Sequence, residues 1–288
     1  DTDRSRGLGD VYKRQKLYDI IRCMRINVVY NNQIGGCADV LSRLEEELIT
    51  RKVEFQTFDI DSLKEFGDFT IVIGGDGTLL KAARFYTTAP VLGINLGRLG
   101  FLSQAGVSEI ESVVDKVLEG SYSTEERLML QSGNSLALND FVIKGCKTSR
   151  TSKFFLEING KFVCDYIADG LIISTPTGST AYGLSAGGPV LYPTLDALVI
   201  VPVCPHTLNA RPLVVPVDEM ITVKTSDKLL SVAVDGFEKP ECVKEISIKS
   251  SIQKAILAFL NDDSFYSVLR NKLHWGISPE YLKDAPVV

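Results

Sequence analysis

The sequence is poor in the residue types that most often mark covalent catalysis and structural metal sites. Its 288 residues include only two histidines, His206 and His274, and neither lies in a motif. The six cysteines are widely spaced, and no two of them form a C-x-x-C pair. We therefore expect no nucleophile-and-base pair, no zinc site and no disulfide framework, and we predict reduced cysteines.

Long apolar runs and an excess of basic residues are also absent. No stretch approaches the roughly 18 consecutive apolar residues that a membrane helix needs. The formal net charge is −5, which argues against broad electrostatic binding of nucleic acids. The 45% hydrophobic content is ample for one large or two ordinary domains. We expect a cytoplasmic protein without membrane or nucleic-acid partners.

The first 23 residues lack the periodicity of a helix or a strand, and the first methionine is Met24. We predict that Met24 is the native start and that residues 1–23 are a non-native extension from a vector, read-through or gene model. A native disordered arm is the alternative. A secretory signal fits poorly because no apolar segment precedes residue 26.

From Met24 to Gly120, short β-branched runs alternate with segments of helical periodicity. This alternation predicts a Rossmann-like α/β domain with a parallel sheet. Gly120 is a suitable helix stop. The predicted strands are 26–30, 53–58, 70–73 and 91–94, the predicted helices are 40–49, 79–86 and 110–118, and a short helical turn is predicted over 59–66.

Residues 121–257 have a different pattern, in which short strand-like runs are separated by turns. Asn159-Gly160 is a strong hairpin signal, and Asp235-Gly236 also predicts a hairpin turn. We therefore predict a β-rich second domain, and the tail, residues 258–288, is a candidate to complete the first. The predicted strands are 128–131, 136–143, 154–158, 162–166, 171–174, 198–203, 220–223, 229–234 and 243–248.

The glycine-rich turn from Gly74 to Thr78 follows a buried strand and precedes a helix. Its glycines, Gly74, Gly75 and Gly77, could adopt positive φ angles and let phosphate oxygens approach the backbone amides. The helix N-terminus adds a preference for an anion. The carboxylate of Asp76 in such a turn suits a group that accepts a hydroxyl proton or holds Mg²⁺. An ordinary Asp-Gly turn is the alternative.

A second loop, from Asn95 to Leu102 with the sequence NLGRLGFL, also comes directly after a strand. Ligands of open α/β sheets bind in the crevice outside the carboxyl ends of the strands. Because both loops are predicted at this edge, each strengthens the functional interpretation of the other.

Two polar features mark the second domain. Asn139 and Asp140 interrupt an apolar run, and a carboxamide beside a carboxylate can hold a vicinal diol; a bulge or a strand-end turn is the alternative. The region after Asp169 is rich in hydroxyls, of which helix capping would explain one or two. We predict that it binds an adenine or a ribose. The hydroxyl residues are Ser174, Thr175, Thr177, Ser179, Thr180, Tyr182 and Ser185.

Taken in chain order, GGDGT at 74–78, NLGRLGF at 95–101, Asn139-Asp140 and TPTGSTAY at 175–182 resemble the NAD kinase family. The first motif alone is shared with lipid kinases and phosphofructokinases, whereas the combination is highly specific. The resemblance implies an α/β domain joined to a β-rich domain, and transfer of a phosphoryl group from ATP or polyphosphate to the 2′-hydroxyl of the adenosine ribose of NAD. It also implies a divalent metal, Mg²⁺, and a homo-oligomer, a dimer or tetramer.

The resemblance also implies roles for single residues. Asp76 is similar to the family's catalytic aspartate, and Asn139 and Asp140 to its ribose-binding pair, in which many members have Glu at the second position. No protein ligand of a metal is assigned. The implied nucleotide-binding residues are Gly75, Gly77, Thr78, Phe101, Asn139, Asp140, Asp169, Thr180, Ala181, Tyr182 and Ser185.

Two rival hypotheses remain at this point. A lipid or sugar kinase would use the same glycine turn but would need a different acceptor pocket, against which residues 175–182 argue. A non-catalytic NAD(P)-binding regulator would bind the nucleotide without forming a product.

Overall fold

A computed structural model describes residues 24–97, 100–103, 105–146, 151–207, 209–226, 229–238, 242–260 and 265–276. The predicted extension, residues 1–23, lies outside the described residues, as do Arg98 and Leu99 of the second loop. The chain divides into two compact units: unit 1 comprises 1–82, 89–124 and 258–288, and unit 2 comprises 83–88 and 125–257.

The first part of the chain alternates strands and helices. Strand β1 pairs in parallel with β2 and β3, β3 pairs with β4, and β4 pairs with the short β5. The elements are β1 (Arg25–Tyr30), α1 (Cys37–Thr50), β2 (Glu54–Asp59), β3 (Phe69–Ile73), α2 (Asp76–Phe85), β4 (Val91–Asn95), β5 (Ala105–Gly106), a 3₁₀ turn (Val107–Glu109) and α3 (Ile110–Leu118).

Helices α1 and α3 each contribute an apolar stripe to the core of unit 1. Val40, Leu44 and Leu48 of α1 pack in one cluster with Val113 and Val117 of α3 and with buried residues of the sheet. Strands β3 and β4 are buried along their whole length, as expected for parallel strands covered on both faces. Because β3 and β4 pair in parallel, with Ile73 opposite Ile94, their carboxyl ends lie side by side.

The rest of the chain is mostly strand. Its elements are β6 (Ser123–Arg127), β7 (Leu130–Ser132), β8 (Ser135–Ala137), β9 (Asp140–Gly145), β10 (Ser152–Ile158), β11 (Lys161–Ala168), β12 (Gly170–Ser174), a 3₁₀ turn (Thr177–Thr180), α4 (Tyr182–Ser185), β13 (Ala197–Val203), β14 (Leu213–Pro216), β15 (Ile221–Thr225), β16 (Leu230–Val234), β17 (Phe237–Glu238), β18 (Glu245–Ser250), β19 (Ala255–Phe259) and α5 (Phe265–Leu273).

Three sheets contain these strands. The first has the order β2-β1-β3-β4-β19-β6, with β5 paired to β4. The other two have the orders β11-β10-β15-β18-β7-β8 and β14-β13-β12-β9-β16-β17. One apolar cluster joins side chains from both of these sheets, such as Phe154 of β10 and Phe141 of β9. Unit 2 is therefore built around a two-sheet core.

The structure confirms the predicted fold class and most of the predicted strands and helices. Gly120 has a φ of 68° after α3, as the helix stop requires. Two predictions are wrong. Residues 59–66 form the end of β2 and a turn, without a helix. The strand predicted over 136–143 is two strands, β8 and β9, which lie in different sheets.

The prediction of reduced cysteines is also wrong for one pair. Cys146 and Cys242 form a disulfide, with their Cα atoms 6.7 Å apart. Short Cys spacings could not predict this bond, because the two cysteines are 96 residues apart in the sequence. The free cysteines of the described part are Cys37, Cys164 and Cys204. None of the helices in that part is long and apolar enough to cross a membrane.

Candidate active site

The glycine-rich turn lies at the carboxyl end of β3, where α2 begins at Asp76. Its glycines could adopt positive φ angles, but none of the three does so. Gly74 packs against the side chain of Thr78, so a Cβ there would collide. At Gly75 and Gly77 no atom lies within 4 Å of an added Cβ. These two glycines leave open space beside the free amides of the first helical turn.

The carboxylate of Asp76 binds the second loop. Its Oδ2 accepts a hydrogen bond from the amide of Phe101 at 2.7 Å. Its Oδ1 accepts from the Ser103 hydroxyl at 2.9 Å and from the amides of Leu102 and Ser103 at 3.4 and 3.3 Å. Because Oδ1 takes three donors and Oδ2 takes one, Oδ2 keeps capacity for a further donor.

The approach of the two loops depends on Gly100. A Cβ at this position would overlap the Asp76 carboxylate, so any larger residue would push the loop away. The sequence predicted that both loops lie at one edge of the sheet, and these contacts confirm it. It did not predict that Asp76 itself connects them.

In unit 2, residues 138–140 form the crossing between β8 and β9. A carboxylate on one side satisfies their backbone amides: Asp235 accepts from Leu138, Asn139 and Asp140 at 2.9, 2.8 and 3.0 Å. Two of their carbonyls are bound by the hydroxyl-rich turn, where the Thr175 hydroxyl donates to Leu138 O at 2.6 Å and the Thr175 amide to Asn139 O at 2.9 Å, and the Asp235 amide donates to Asp140 O at 3.0 Å. We call residues 138–140 the crossing segment.

The side chains of Asn139 and Asp140 have no hydrogen-bond partner among the described residues. Asp140 is nevertheless only 4% exposed. Burial, and secondarily the negative charge of Asp235, raises the pKa of the Asp140 carboxyl to about 7. A buried carboxyl with vacant acceptor positions is costly in an empty protein, and this arrangement suits a ligand that supplies the donors.

The hydroxyl-rich turn, residues 174–185, is bound mainly to itself and to the crossing segment. The hydroxyls of Ser179 and Thr180 donate to Pro176 O and Thr177 O at 2.6 and 3.2 Å. The Ser174 hydroxyl donates to Asn139 O at 3.2 Å. Capping therefore does not explain most of these hydroxyls, which bind backbone carbonyls of the turn and of the crossing segment.

Gly178 brings this turn against the crossing segment. A Cβ on Gly178 would overlap the backbone of Asn139. The amide of Thr175 also donates to Asn139 O at 2.9 Å. The turn therefore fixes the position of the residue whose carboxamide is predicted to bind a ribose.

The remaining predicted nucleotide-binding residues differ in their exposure. Tyr182 is 40% exposed, and Ser185 and Asp169 are also exposed, whereas Phe101 and Ala181 are half-buried. Within unit 2, an aromatic ring and two polar side chains are thus accessible to a ligand. Their nucleotide-binding roles stay predictions.

Sequence comparison places this geometry in a family. A model of the ATP-NAD kinase N-terminal domain matches residues 13–122, and a model of the ATP-NAD kinase C-terminal domain matches residues 138–257. The NAD kinase of Ectopseudomonas mendocina is 44% identical over 237 residues, which cover 77% of this chain and 80% of that protein. The chain belongs to the NAD kinase family. An NAD kinase of Pseudomonas fluorescens (strain SBW25) has the same identity and coverage.

Two solved structures share the fold. The NAD kinase from Archaeoglobus fulgidus in complex with ATP gives a TM-score of 0.73 at 29% identity and covers 87% of this chain and 98% of that chain. Yeast NADH kinase complexed with NADH gives a TM-score of 0.78 at 22% identity, over 88% of this chain and 89% of that chain. The protein is thus an NAD kinase-type phosphotransferase, and the rival hypotheses are not favoured.

Sequence reasoning missed four residues that support this NAD kinase site. Asp235 was assigned only a turn role, and Ser103 was not singled out. Arg84, in the last turn of α2, pairs with Asp235 at 3.4 Å. The buried Arg127 donates to Glu125 at 2.7 Å and to the Thr177 hydroxyl at 3.4 Å. The only available signal was the position of Asp235 directly after a buried strand.

A metal cluster is not evident in the part of the chain that the structure describes: no three His, Cys, Asp or Glu side chains there are grouped to hold an ion. Mg²⁺ in kinases is commonly bound by substrate phosphates, water and one or two carboxylates. The described residues fit that mode, in which the nucleotide supplies most ligands, better than an all-protein cage.

Proposed function

We propose that the chain transfers the γ-phosphoryl group of ATP to the 2′-hydroxyl of the adenosine ribose of NAD, forming NADP. The observation that carries this proposal is the crossing segment. Its backbone is fully bound to the protein, while the carboxamide of Asn139 and the buried carboxyl of Asp140 are left for a ligand. A vicinal diol offers the complementary donors and acceptors.

The general base of the proposed reaction is Asp76. A ribose hydroxyl is a weak nucleophile, and a carboxylate within about 3 Å that accepts its proton accelerates such a step about 10²–10⁴-fold. Oδ2 is the oxygen with capacity for this proton, since Oδ1 already accepts three hydrogen bonds. The loop from Phe101 to Ser103 keeps the carboxylate in one orientation.

The glycines of the turn serve the phosphates in this proposal. Gly75 and Gly77 leave space for phosphate oxygens, and the N-terminus of α2 offers free amides and a favourable dipole. Thr78, buried in the first turn, completes this phosphate-binding part of residues 24–120. Mg²⁺, bound mainly by the ATP phosphates, neutralises charge during the transfer.

Residues 121–257 are the NAD-binding domain in this proposal. Asn139 and Asp140 hold the ribose, and Thr180, Ala181, Tyr182 and Ser185 line the adenine and ribose side, with Asp169 towards the nicotinamide. Phe101 is assigned to the adenine.

The proposal also covers the location of the protein, its oligomeric state and its phosphoryl donor. We propose a cytoplasmic homo-oligomer, because both substrates are nucleotides and because an outer strand of unit 2 carries exposed apolar side chains. The Cys146–Cys242 bond removes the argument from reduced thiols for this location. Polyphosphate is a second candidate donor, since a phosphate-binding turn alone does not select the adenosine part of ATP.

A coupled assay for NADP formation tests the reaction. Purified full-length protein is supplied with NAD and MgCl₂, and with ATP or polyphosphate in parallel. NADP is expected with ATP, and the polyphosphate reaction decides the donor range. A folded protein that forms no NADP with either donor contradicts the proposal, and NAD binding without product would favour the regulator hypothesis.

The base assignment is tested with Asp76→Asn. We expect a loss of kcat of at least about 10²-fold with NAD affinity little changed, because the amide cannot accept the proton. The amide would also place an N–H group against the loop, so Ser103→Ala is the matched control for loop displacement. Its kcat should fall far less. Equal losses in both variants would assign Asp76 a structural role.

A further inference from the structure

Asp235 makes more contacts than a hairpin turn requires. With Gly236 it forms the turn between β16 and β17, with φ angles of 48° and 83°. Its carboxylate is 0% exposed and accepts the three amides of the crossing segment. A shorter side chain would leave these amides buried without partners, which is costly, and an asparagine would offer one acceptor oxygen in place of two.

Arg84 forms an ion pair with the Asp235 carboxylate. Its Nε lies 3.4 Å from Asp235 Oδ2, and its side chain is 17% exposed. A second nitrogen of the guanidinium donates to Leu136 O in β8 at 3.1 Å. Arg84 therefore binds both the carboxylate and the strand that leads into the crossing segment.

The whole backbone of the crossing segment is thus bound to the protein. The Asp235 carboxylate accepts from the amides, Thr175 and Ser174 donate to the carbonyls of Leu138 and Asn139, and the Asp235 amide donates to Asp140 O at 3.0 Å. The segment therefore cannot rotate without losing several buried hydrogen bonds. The backbone positions from which the Asn139 and Asp140 side chains extend are fixed before any ligand arrives.

We propose that Arg84 and Asp235 are positioning residues, which act on NAD through the crossing segment by fixing Asn139 and Asp140 for the ribose. This inference rests on the proposed function. Neither residue is required to touch the substrate. Preorganisation of this kind contributes to affinity because the ordering cost is met during folding.

The charge of Asp235 should affect how the affinity for NAD depends on pH. Burial raises the pKa of Asp235, while Arg84 and the three amides favour its ionised form. Burial, and after it the negative charge of Asp235 in its ionised form, raises the pKa of Asp140. A ribose hydroxyl donates more strongly to an ionised carboxyl, so affinity for NAD should fall as the pH drops through the pKa of Asp140. Removing the Asp235 charge lowers that pKa and moves the fall to lower pH.

The test measures kcat and KM for NAD across the neutral pH range in Asp235→Asn and Arg84→Met. Asp165→Asn is the matched control, since Asp165 pairs with Lys153 at the surface of the same unit. We expect KM for NAD to rise about tenfold, equivalent to about 1.4 kcal/mol, with kcat much less affected. In Asp235→Asn the rise of KM towards acid should begin at lower pH than in the wild type.

Four outcomes are distinguishable. A folded Asp235→Asn protein with unchanged KM and unchanged pH dependence overturns the inference. A lower melting temperature with unaltered kinetics would do the same, since it indicates a structural role alone. If Asp235→Asn does not fold, the KM of Arg84→Met decides. A wild-type protein that forms no NADP overturns the proposed function instead.

Discussion

At the scale of single residues, the glycines of the 74–78 turn provide room for a ligand and do not provide positive φ angles. The sequence suggested positive φ angles for its glycines, yet none of the three adopts one. Gly75 instead faces open space, with no atom within 4 Å of an added Cβ. A glycine with ordinary φ and free surroundings is not needed for folding. We therefore predict that a ligand occupies the space beside Gly75.

Gly75→Ala is therefore expected to fold like the wild type and to lose nucleotide binding. The added methyl group should raise KM for ATP or NAD by about tenfold or more, because it occupies the space of a phosphate oxygen. Gly120→Ala is the contrasting control. Its φ of 68° should cost about 1–2 kcal/mol of stability while leaving both KM values unchanged. A Gly75→Ala protein with wild-type kinetics would exclude phosphate contact at this glycine.

Much of the site was predictable from single residues, and the exceptions have a common cause. Asp76, Asn139 and Asp140 stood out because each places a polar group where an apolar strand ends or breaks. Asp235 was missed because a local explanation, the Asp-Gly hairpin turn, accounted for it. The turn is real, but the same side chain also binds a segment 95 to 97 residues away. Local sequence patterns do not predict such long-range contacts.

At the scale of elements, strand prediction succeeded where one apolar face is uninterrupted and failed where the chain changes sheet. Residues 136–143 were predicted as one strand interrupted by Asn139 and Asp140, although β8 and β9 on the two sides of this interruption belong to different sheets. Strand β19 was not predicted, although its residues 255–259 form a continuous apolar run. Apolar periodicity indicates which face of a strand is buried. It does not indicate which sheet the strand belongs to.

The disulfide between Cys146 and Cys242 connects the end of β9 with the segment before β18. A cross-link over 96 residues is expected to stabilise unit 2 by up to about 4–5 kcal/mol in the chain-entropy model. Cys242→Ser should therefore lower the melting temperature, whereas Cys204→Ser, at an exposed free cysteine, should not. Peptide mass spectrometry without reduction detects the bond directly. Alkylation of both Cys146 and Cys242 in the unreduced native protein would contradict it.

At the scale of the whole molecule, composition indicated the broad class of the protein and the motifs indicated its family. Charge and hydropathy argued against nucleic-acid and membrane classes but did not distinguish one enzyme from another. The combination of four motifs in order indicated the family, and each motif is predicted to serve a different part of one reaction. The proposed association with other copies rests on the exposed side chains of outer strands.

Strand β11 is the part of unit 2 best suited to contact a second copy of the chain. It is the outermost strand of its sheet, and Phe162 and Val163 are 63% and 41% exposed. Unpaired edges with apolar side chains favour strand-to-strand association. Near its other end the edge is partly covered, since the amide of His206 donates to Ile167 O at 2.8 Å. The half of β11 around Phe162 is therefore the predicted contact.

Phe162→Lys should shift the protein towards a smaller species in size-exclusion chromatography with light scattering. A lysine there removes apolar area and places like charges opposite each other across a symmetric contact. Ile252→Lys is the matched control, because Ile252 is 98% exposed in a turn and has no free strand edge beside it. A wild-type protein that is monomeric at micromolar concentration would contradict the oligomer. An unchanged oligomer in Phe162→Lys would move the contact away from β11.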